Sequence, residues 1–263
     1  MFLVADVDMK RIGVLLIMLL MVACGNEAVS DNVKEDDKEV KQETKQDDKQ
    51  DTNDKLNVKT KDLFHKKYFE QSFQMDQLGI YAELENESNK PVTLTNVELS
   101  LYDKDENIIS VLTDEDVDKM FAPEVLKPKG TSYLVIQLDY DDKYDDIDNI
   151  ELKYDTEEVN EFAYNDMDTD KVNIKDGEDD SFTVTMNVSN PNDEPLDYEI
   201  GIGFYDKDDK FIGATITQDY TDENREVKAN DNKNIELYDS VNINLDEVER
   251  TEIVAAGFLP DEY

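Results

Sequence analysis

The stretch LSLYDKDENII at residues 99–109 returns as IGFYDKDDKFI at residues 202–212. In each copy, alternating apolar residues lead to a tyrosine, and an Asp-Lys-Asp sequence follows. Alternation places one face of a β-strand in a core and the other in water. Asp and Asn favour turns because their side chains hydrogen-bond the nearby backbone. The sequence therefore predicts one strand–turn–strand unit that occurs twice, 103 residues apart.

The flanks of this unit repeat as well. Similar segments precede and follow the two copies, at residues 81–86 and 182–190 and again at 147–152 and 248–253. We therefore predict two tandem domains at residues 63–160 and 161–263. Each has about 100 residues, which is a common domain size.

Each repeat contains short alternating segments separated by Asn, Asp, Pro and Lys. This pattern is typical of a β-sandwich. Thr113 precedes three acidic residues, so we predict that it is the N-cap of one short helix. Phe121 should lie on the face of this helix that points to the core. The predicted strands include residues 81–84, 97–101, 134–138, 182–186 and 200–204.

The predicted fold class is all-β, with two tandem immunoglobulin-like β-sandwich domains after a signal peptide and a disordered tether. The chain has one Cys and no Trp. Antibody domains carry a Cys-Trp-Cys hallmark, which is therefore missing. The immunoglobulin likeness concerns architecture only.

The N-terminal region carries a targeting signal. The pair Lys10-Arg11 precedes an apolar run at residues 12–23. That run is too short for a transmembrane helix of about 20 residues, but it fits a secretory signal peptide. It ends in LMVACG at residues 20–25, which resembles the lipobox of bacterial lipoproteins. The resemblance implies removal of residues 1–23 and attachment of a diacylglyceryl group to the Cys24 thiol. The alternative is an ordinary secretory signal that ends near a cysteine.

Residues 24–62 have the composition of a disordered tether. Residues 25–62 hold 12 acidic and 8 basic side chains, and their few apolar residues cannot bury a core. A flexible chain of this length spans roughly 35 Å. We expect it to hold the folded part off the membrane.

The motifs LYDKDENII (residues 101–109) and FYDKDDKFI (residues 204–212) resemble domains of Gram-positive cell-surface lipoproteins, including the FxLYD type. The resemblance covers most of residues 75–263. It implies an immunoglobulin-like sandwich in a protein anchored to the outer face of the cell membrane. It implies no catalytic residue, since such domains generally lack an established enzymatic activity.

The chain is strongly acidic, with 66 Asp and Glu against 27 Lys and Arg and a net charge of −39. A nucleic-acid partner requires Lys and Arg to displace its counterions, so we expect no nucleic-acid binding. Residues 1–23 are neutral and residues 25–62 carry −4, which leaves −35 on the remaining chain. This acidity fits adaptation to high salt, which screens self-repulsion, or a surface that meets a cationic partner.

One acidic cluster has the composition of a calcium site. Calcium prefers oxygen ligands, and five carboxylates fall within eight residues. Lys143 in their midst favours the alternative, a solvated loop with loosely held counterions. No other cofactor is predicted. The five candidate ligands are Asp141, Asp142, Asp145, Asp146 and Asp148.

Together these features predict a membrane-anchored extracytoplasmic lipoprotein whose sandwich domains form a non-enzymatic binding module. The expected partners are the membrane, through the lipid on Cys24, and a protein or a cell-wall polymer. The first alternative is a surface module that uses calcium in its acidic loops. The second is an extracellular hydrolase, which needs two acids across a cleft. With 66 acidic residues, such pairs also arise by chance.

Overall fold

The computed structural model describes residues 56–70, 74–113, 121–160, 164–177, 181–217, 225–239 and 243–259. These residues form β-strands and two short 3-10 helices, which confirms the predicted all-β class. Within the described ranges, no helix is both long enough and apolar enough to cross a membrane. Residues 51–263 form one compact unit, and both sequence repeats lie within it.

The strands divide evenly between the two repeats. The first half contains β1 (Val58–Glu70), β2 (Met75–Asn86), β3 (Val92–Asp103), β4 (Ile108–Thr113), β5 (Phe121–Ala122), β6 (Val125–Leu126), β7 (Thr131–Asp139), the 3-10 helix Asp142–Asp146 and β8 (Ile147–Glu158). The second half contains β9 (Asn165–Asp166), β10 (Asp168–Asp176), β11 (Phe182–Asn190), β12 (Leu196–Tyr205), β13 (Phe211–Ile216), β14 (Glu226–Val227), β15 (Asp231–Asp239), the 3-10 helix Leu245–Glu247 and β16 (Arg250–Phe258).

Each half is a sandwich of two antiparallel sheets. In the first half, the sheet that we call outer sheet 1 has the order β4-β3-β6, and β8 also pairs with β3. The sheet that we call inner sheet 1 has the order β1-β2-β7-β5. In the second half, inner sheet 2 has the order β13-β12-β16-β9 with β14 also on β12, and outer sheet 2 has the order β10-β11-β15. The pairing of β3 with β4, β6 and β8 is matched by the pairing of β12 with β13, β14 and β16. The sequence repeat is therefore also a repeat of the pattern of strand pairing.

Both sandwiches have an apolar core that follows the predicted alternation. In the first half, Ile80 of β2, Leu99 of β3 and Leu134 of β7 lie together in the buried cluster. In the second half, Phe182 and Phe204 meet edge to face with their ring centroids 5.4 Å apart. Burial of apolar surface is the main stabilising term for such sheets.

The two inner sheets also bury the faces that point away from these cores. Tyr133 of β7 is 0% exposed, and its ring stacks on Phe211 of β13 with centroids 5.8 Å apart. Its hydroxyl oxygen lies 3.1 Å from that of Tyr205. Burial raises the pKa of both hydroxyl groups. The four sheets therefore stack as consecutive layers, and we call the contact between the two inner sheets the tyrosine interface.

Small residues let the two inner sheets approach each other. A Cβ on Gly203 of β12 would lie 2.4 Å from Cζ of Tyr133, and one on Gly201 would lie 2.3 Å from the carbonyl oxygen of Ala122. Real Cβ atoms do not come this close to other heavy atoms. Glycine at these two positions is therefore a condition of the layered arrangement.

The tyrosine interface also contains buried carboxylates. Glu83 is 2% exposed and Glu199 is 3% exposed. Lys61 Nζ lies 2.6 Å from Glu83 Oε1, and the backbone N–H of Glu124 donates to Glu199 Oε2 at 2.9 Å. A buried carboxylate is costly unless it is paired in this way. The contact from Glu124 to Glu199 also joins the first half to the second.

A buried asparagine closes the end of β2 and, in the repeat, the end of β11. Asn86 Nδ2 donates to the carbonyl oxygens of Lys90, Leu126 and Lys127 at 2.8–3.1 Å. Asn190 Nδ2 likewise donates to Glu194 and Val227 at 2.8 and 2.9 Å. Each asparagine thereby connects the loop after its own strand to a neighbouring strand.

We expect Asn86→Ala and Asn190→Ala each to lower the free energy of unfolding by about 2 kcal/mol, since each leaves buried carbonyl oxygens without a donor. Urea denaturation of the purified chain measures this. Asn234→Ala, at an exposed position of β15, is the control and should change stability by less than about 0.5 kcal/mol. Equal stability of all three variants would contradict the structural role.

Two local predictions are wrong. β1 begins at Val58, inside the segment predicted as tether, because residues 58–62 pair with the end of β2 and Leu56 and Val58 contact the first core. Phe121, predicted on a helix, lies in strand β5 and pairs with Leu134. The rest of the predicted helix, residues 114–120, lies outside the described residues, as do the signal peptide and most of the tether.

Candidate functional site

The predicted lipidation site, Cys24, lies outside the described residues. The five candidate calcium ligands are described, and they lie on the 3-10 helix Asp142–Asp146 and its flanks. Asp141 caps this helix by accepting the N–H of Lys143 at 3.1 Å. Asp142, Asp146 and Asp148 are exposed in the same segment.

Asp145 belongs to a small polar cluster. It accepts a hydrogen bond from the hydroxyl group of Tyr140 and lies 3.9 Å from Lys67 Nζ. Lys67 Nζ also sits 3.6 Å from the centroid of the Tyr140 ring and 3.3 Å from Asp76. The hydrogen bond to Asp145 raises the pKa of Tyr140. Lysines therefore already lie beside two of the five carboxylates, since Lys143 Nζ is also 3.8 Å from Asp141 Oδ2.

The five aspartates do not converge on a common point. Among the described residues, no group of three or more His, Cys, Asp or Glu side chains is placed to hold a metal ion. The calcium site at Asp141, Asp142, Asp145, Asp146 and Asp148 therefore stays a prediction.

The repeated turn after β3 builds a different site. The Asp103 carboxylate accepts the N–H groups of Asp105 and Asn107 at 2.9 and 2.8 Å. Glu106 takes a left-handed conformation with φ 63°. Hydrogen bonds from Asn107 lower the pKa of Asp103, which keeps the carboxylate ionised. Asp103 thus holds the turn in one shape and presents Glu106 at its tip.

This turn and the start of β8 enclose a groove of about 540 Å³. We call it the acidic groove. Tyr102 forms one wall, and its hydroxyl donates to Glu151 Oε2 at 3.1 Å. Hydrogen bonds from Lys153 and from Tyr102 lower the pKa of Glu151. The lining residues are Tyr102, Asp103, Lys104, Glu106, Asp148, Asn149 and Glu151.

The acidic groove combines an aromatic wall with several carboxylates and one lysine. The two carboxyl groups with lowered pKa values, Asp103 and Glu151, are held in their charged forms. A general acid for hydrolysis needs the opposite shift. These two carboxylates are therefore suited to attract a cation rather than to act as the proton donor.

Sequence reasoning found part of this site. It placed the turn 103–107 correctly and interpreted it as structural, but it did not connect the turn to Glu151. It included Asp148 only as a calcium ligand. It also missed the buried Asn86 and Asn190, although each stands five residues before a proline, Pro91 and Pro195, a shared spacing that indicates equivalent roles.

No family model matches this chain, and no curated protein matches it. Among solved structures, red sea bream transglutaminase is similar over 67% of this chain and 26% of its own, with 13% sequence identity and a TM-score of 0.22. The chain thus spans about a quarter of the length of that enzyme.

Proposed function

We propose that this protein is an extracytoplasmic lipoprotein, anchored to the outer face of the cell membrane through lipid on Cys24. Its β-sandwich unit is a non-enzymatic binding module for a protein or a cell-wall polymer. The LMVACG sequence at residues 20–25 supports the anchor. The lipid and the tether bring the module to the cell surface and leave its outer faces accessible.

The acidic groove is the observation that carries the binding role. It is open, it is anionic at neutral pH, and its shape is fixed by the Asp103 turn. A preorganised site binds with a smaller entropic cost than a loop that must order on binding. The carboxylates of the groove recognise positive charge, which agrees with the charge of −35 on residues 63–263.

Metabolic labelling tests the anchor. Bacteria that express the full chain are grown with an alkyne-tagged fatty acid, and the membrane fraction is examined for tagged protein. We expect strong labelling of the native chain and loss of label and of membrane retention in Cys24→Ala. The matched control Ala28→Ser, four residues away, should behave as the native chain. Undiminished labelling of Cys24→Ala would overturn the proposal.

A calcium-dependent surface module is the second candidate. The exposure of Asp142 and Asp146 on one short helix favours it, because both carboxylates are accessible to an ion. A thermal melt with millimolar calcium, against NaCl at matched ionic strength, separates it from general screening. A gain in melting temperature with calcium alone supports this candidate, and an equal gain in both salts rejects it.

A further inference from the structure

Arg250 in the second half shows how this fold holds a guanidinium group. Its Cζ lies 3.6 Å from the centroid of the Tyr205 ring. Its Nε donates to Asp209 Oδ1 at 2.8 Å, and its Nη1 donates to Glu252 Oε2 at 3.1 Å. One aromatic face and two carboxylates therefore surround the planar cation, and both kinds of group bind guanidinium favourably.

The acidic groove contains the counterparts of these three partners. Tyr102 pairs with Asn149 across two strands, just as Tyr205 pairs with Arg250. In each half the turn follows a tyrosine and an aspartate, and the third residue after that pair is acidic. This residue has a left-handed backbone conformation, with φ of 63° for Glu106 and 59° for Asp209. The matched pairs are Tyr102 with Tyr205, Glu106 with Asp209, and Glu151 with Glu252.

The first half has no guanidinium group at the position equivalent to Arg250. Asn149 stands where Arg250 stands in the second half. The side chain of Asn149 is short and uncharged, and the space beside it is part of the groove of about 540 Å³. Tyr102, Glu106 and Glu151 thus line an open space whose counterpart in the second half is occupied by an arginine side chain.

We propose that the acidic groove binds an arginine side chain of a partner protein. The guanidinium lies over the Tyr102 ring and donates to Glu106 and Glu151, and Asp148 adds a further acceptor. This names the ligand class for the binding role proposed above and rests on that role. Arginine is favoured over lysine because a planar guanidinium stacks on an aromatic ring while it donates sideways to carboxylates.

The surroundings of the groove fit a protein partner. Ile108, the cross-strand neighbour of Tyr102, is 62% exposed. Its counterpart Phe211 is 1% exposed because it lies in the tyrosine interface. An exposed apolar side chain beside a cation site favours an arginine that is flanked by apolar residues. Lys153 Nζ lies 3.0 Å from Glu151, so the incoming guanidinium shares this carboxylate or displaces the lysine.

Fluorescence anisotropy tests the arginine site with the full chain in detergent. The probe is a labelled peptide, Ser-Leu-Arg-Leu-Ser, and two matched peptides carry lysine or citrulline in place of arginine. Citrulline keeps the planar shape without the charge. At physiological salt we expect the arginine peptide to bind at least tenfold more tightly than either of the others.

Variants locate the binding. Tyr102→Ala and Glu151→Gln should each weaken binding at least fivefold, whereas Glu157→Gln, the same charge change at an exposed position of β8, should leave it within twofold. Asn149→Arg should weaken binding at least tenfold, because the new guanidinium group should occupy the acidic groove as that of Arg250 occupies the equivalent space in the second half. Asn149→Lys adds the same charge without the planar group and should weaken binding less. A thermal melt checks that each variant is folded.

Equal binding of the arginine and lysine peptides would overturn the proposal, since general attraction to an acidic protein then suffices. Unchanged binding by Asn149→Arg would overturn it as well. The assay uses purified protein and does not depend on the lipid, so failure here leaves the anchor on Cys24 standing. Failure of the labelling experiment likewise leaves the arginine site standing.

Discussion

Tyr133→Ala is expected to lower the free energy of unfolding by about 4 kcal/mol, in the range found for large aromatic side chains removed from cores. Tyr133 is fully buried and its ring stacks on Phe211 from the other half of the molecule. Its removal leaves a cavity between two sheets that cannot easily close. It also leaves the hydroxyl group of Tyr205 without the partner at 3.1 Å. Urea denaturation followed by far-ultraviolet circular dichroism measures the loss.

Tyr102→Ala is the matched control for this experiment. Tyr102 is a half-buried tyrosine on the outer sheet of the first half, where no second sandwich covers it in the described structure. Its loss should cost less than about 1 kcal/mol. If the two tyrosine variants were equally stable, the two halves would not share a core. Tyr133→Phe and Tyr205→Phe, alone and together, isolate the hydroxyl pair as a double-mutant cycle.

The strands could be predicted from sequence because each core face is apolar. Residues 81–84, 97–101 and 134–138 all fall within strands, and so do residues 182–186 and 200–204. Alternation specifies which residues share a face. Together with the internal repeat, it was enough to predict an all-β chain of sandwich type.

The tyrosine interface could not be predicted in the same way. Alternation separates two faces of a strand but does not say whether the second face meets water or another sheet. Glu83 and Glu199 have the composition of solvent-facing positions, yet both are buried and paired. Gly201 and Gly203 weaken a strand by propensity, but they allow Ala122 and Tyr133 of the other half to approach β12 closely.

The candidate site was predictable in its local part alone. The hydrogen bonds of the turn lie within five residues of Asp103, so the sequence pattern captures them. The contact between Tyr102 and Glu151 joins positions 49 residues apart, and only the register of β3 with β8 brings them together. Asn149 and Arg250 can be recognised as equivalent positions only when the strand register is known in both halves.

Gly201→Val is expected to lower the free energy of unfolding by about 3 kcal/mol, at the upper end of the usual cost of overfilling a core. A Cβ at this position would lie 2.3 Å from the carbonyl oxygen of Ala122 and 2.9 Å from Cδ2 of Tyr133. The first obstacle is backbone and the second is a buried ring, so neither can move aside at low cost. Chemical denaturation in urea gives the change directly.

The repeat supplies a control that separates sterics from strand propensity. Glu98 of β3 occupies the place of Gly201 in the first half, since each precedes its repeat tyrosine by four residues. Valine is a better strand former than glycine or glutamate, so propensity alone predicts a gain at both positions. Glu98→Val lies on a sheet face without an opposing layer in the described structure, and its only expected cost is the loss of the 3.3 Å hydrogen bond from Ser100 Oγ to Glu98 Oε1, so it should cost less than about 1 kcal/mol. A stable Gly201→Val would mean that the inner sheets can separate without cost. A large loss in Gly201→Val and a much smaller one in Glu98→Val would locate the coupling of the two halves in the approach of β12 to Ala122 and Tyr133.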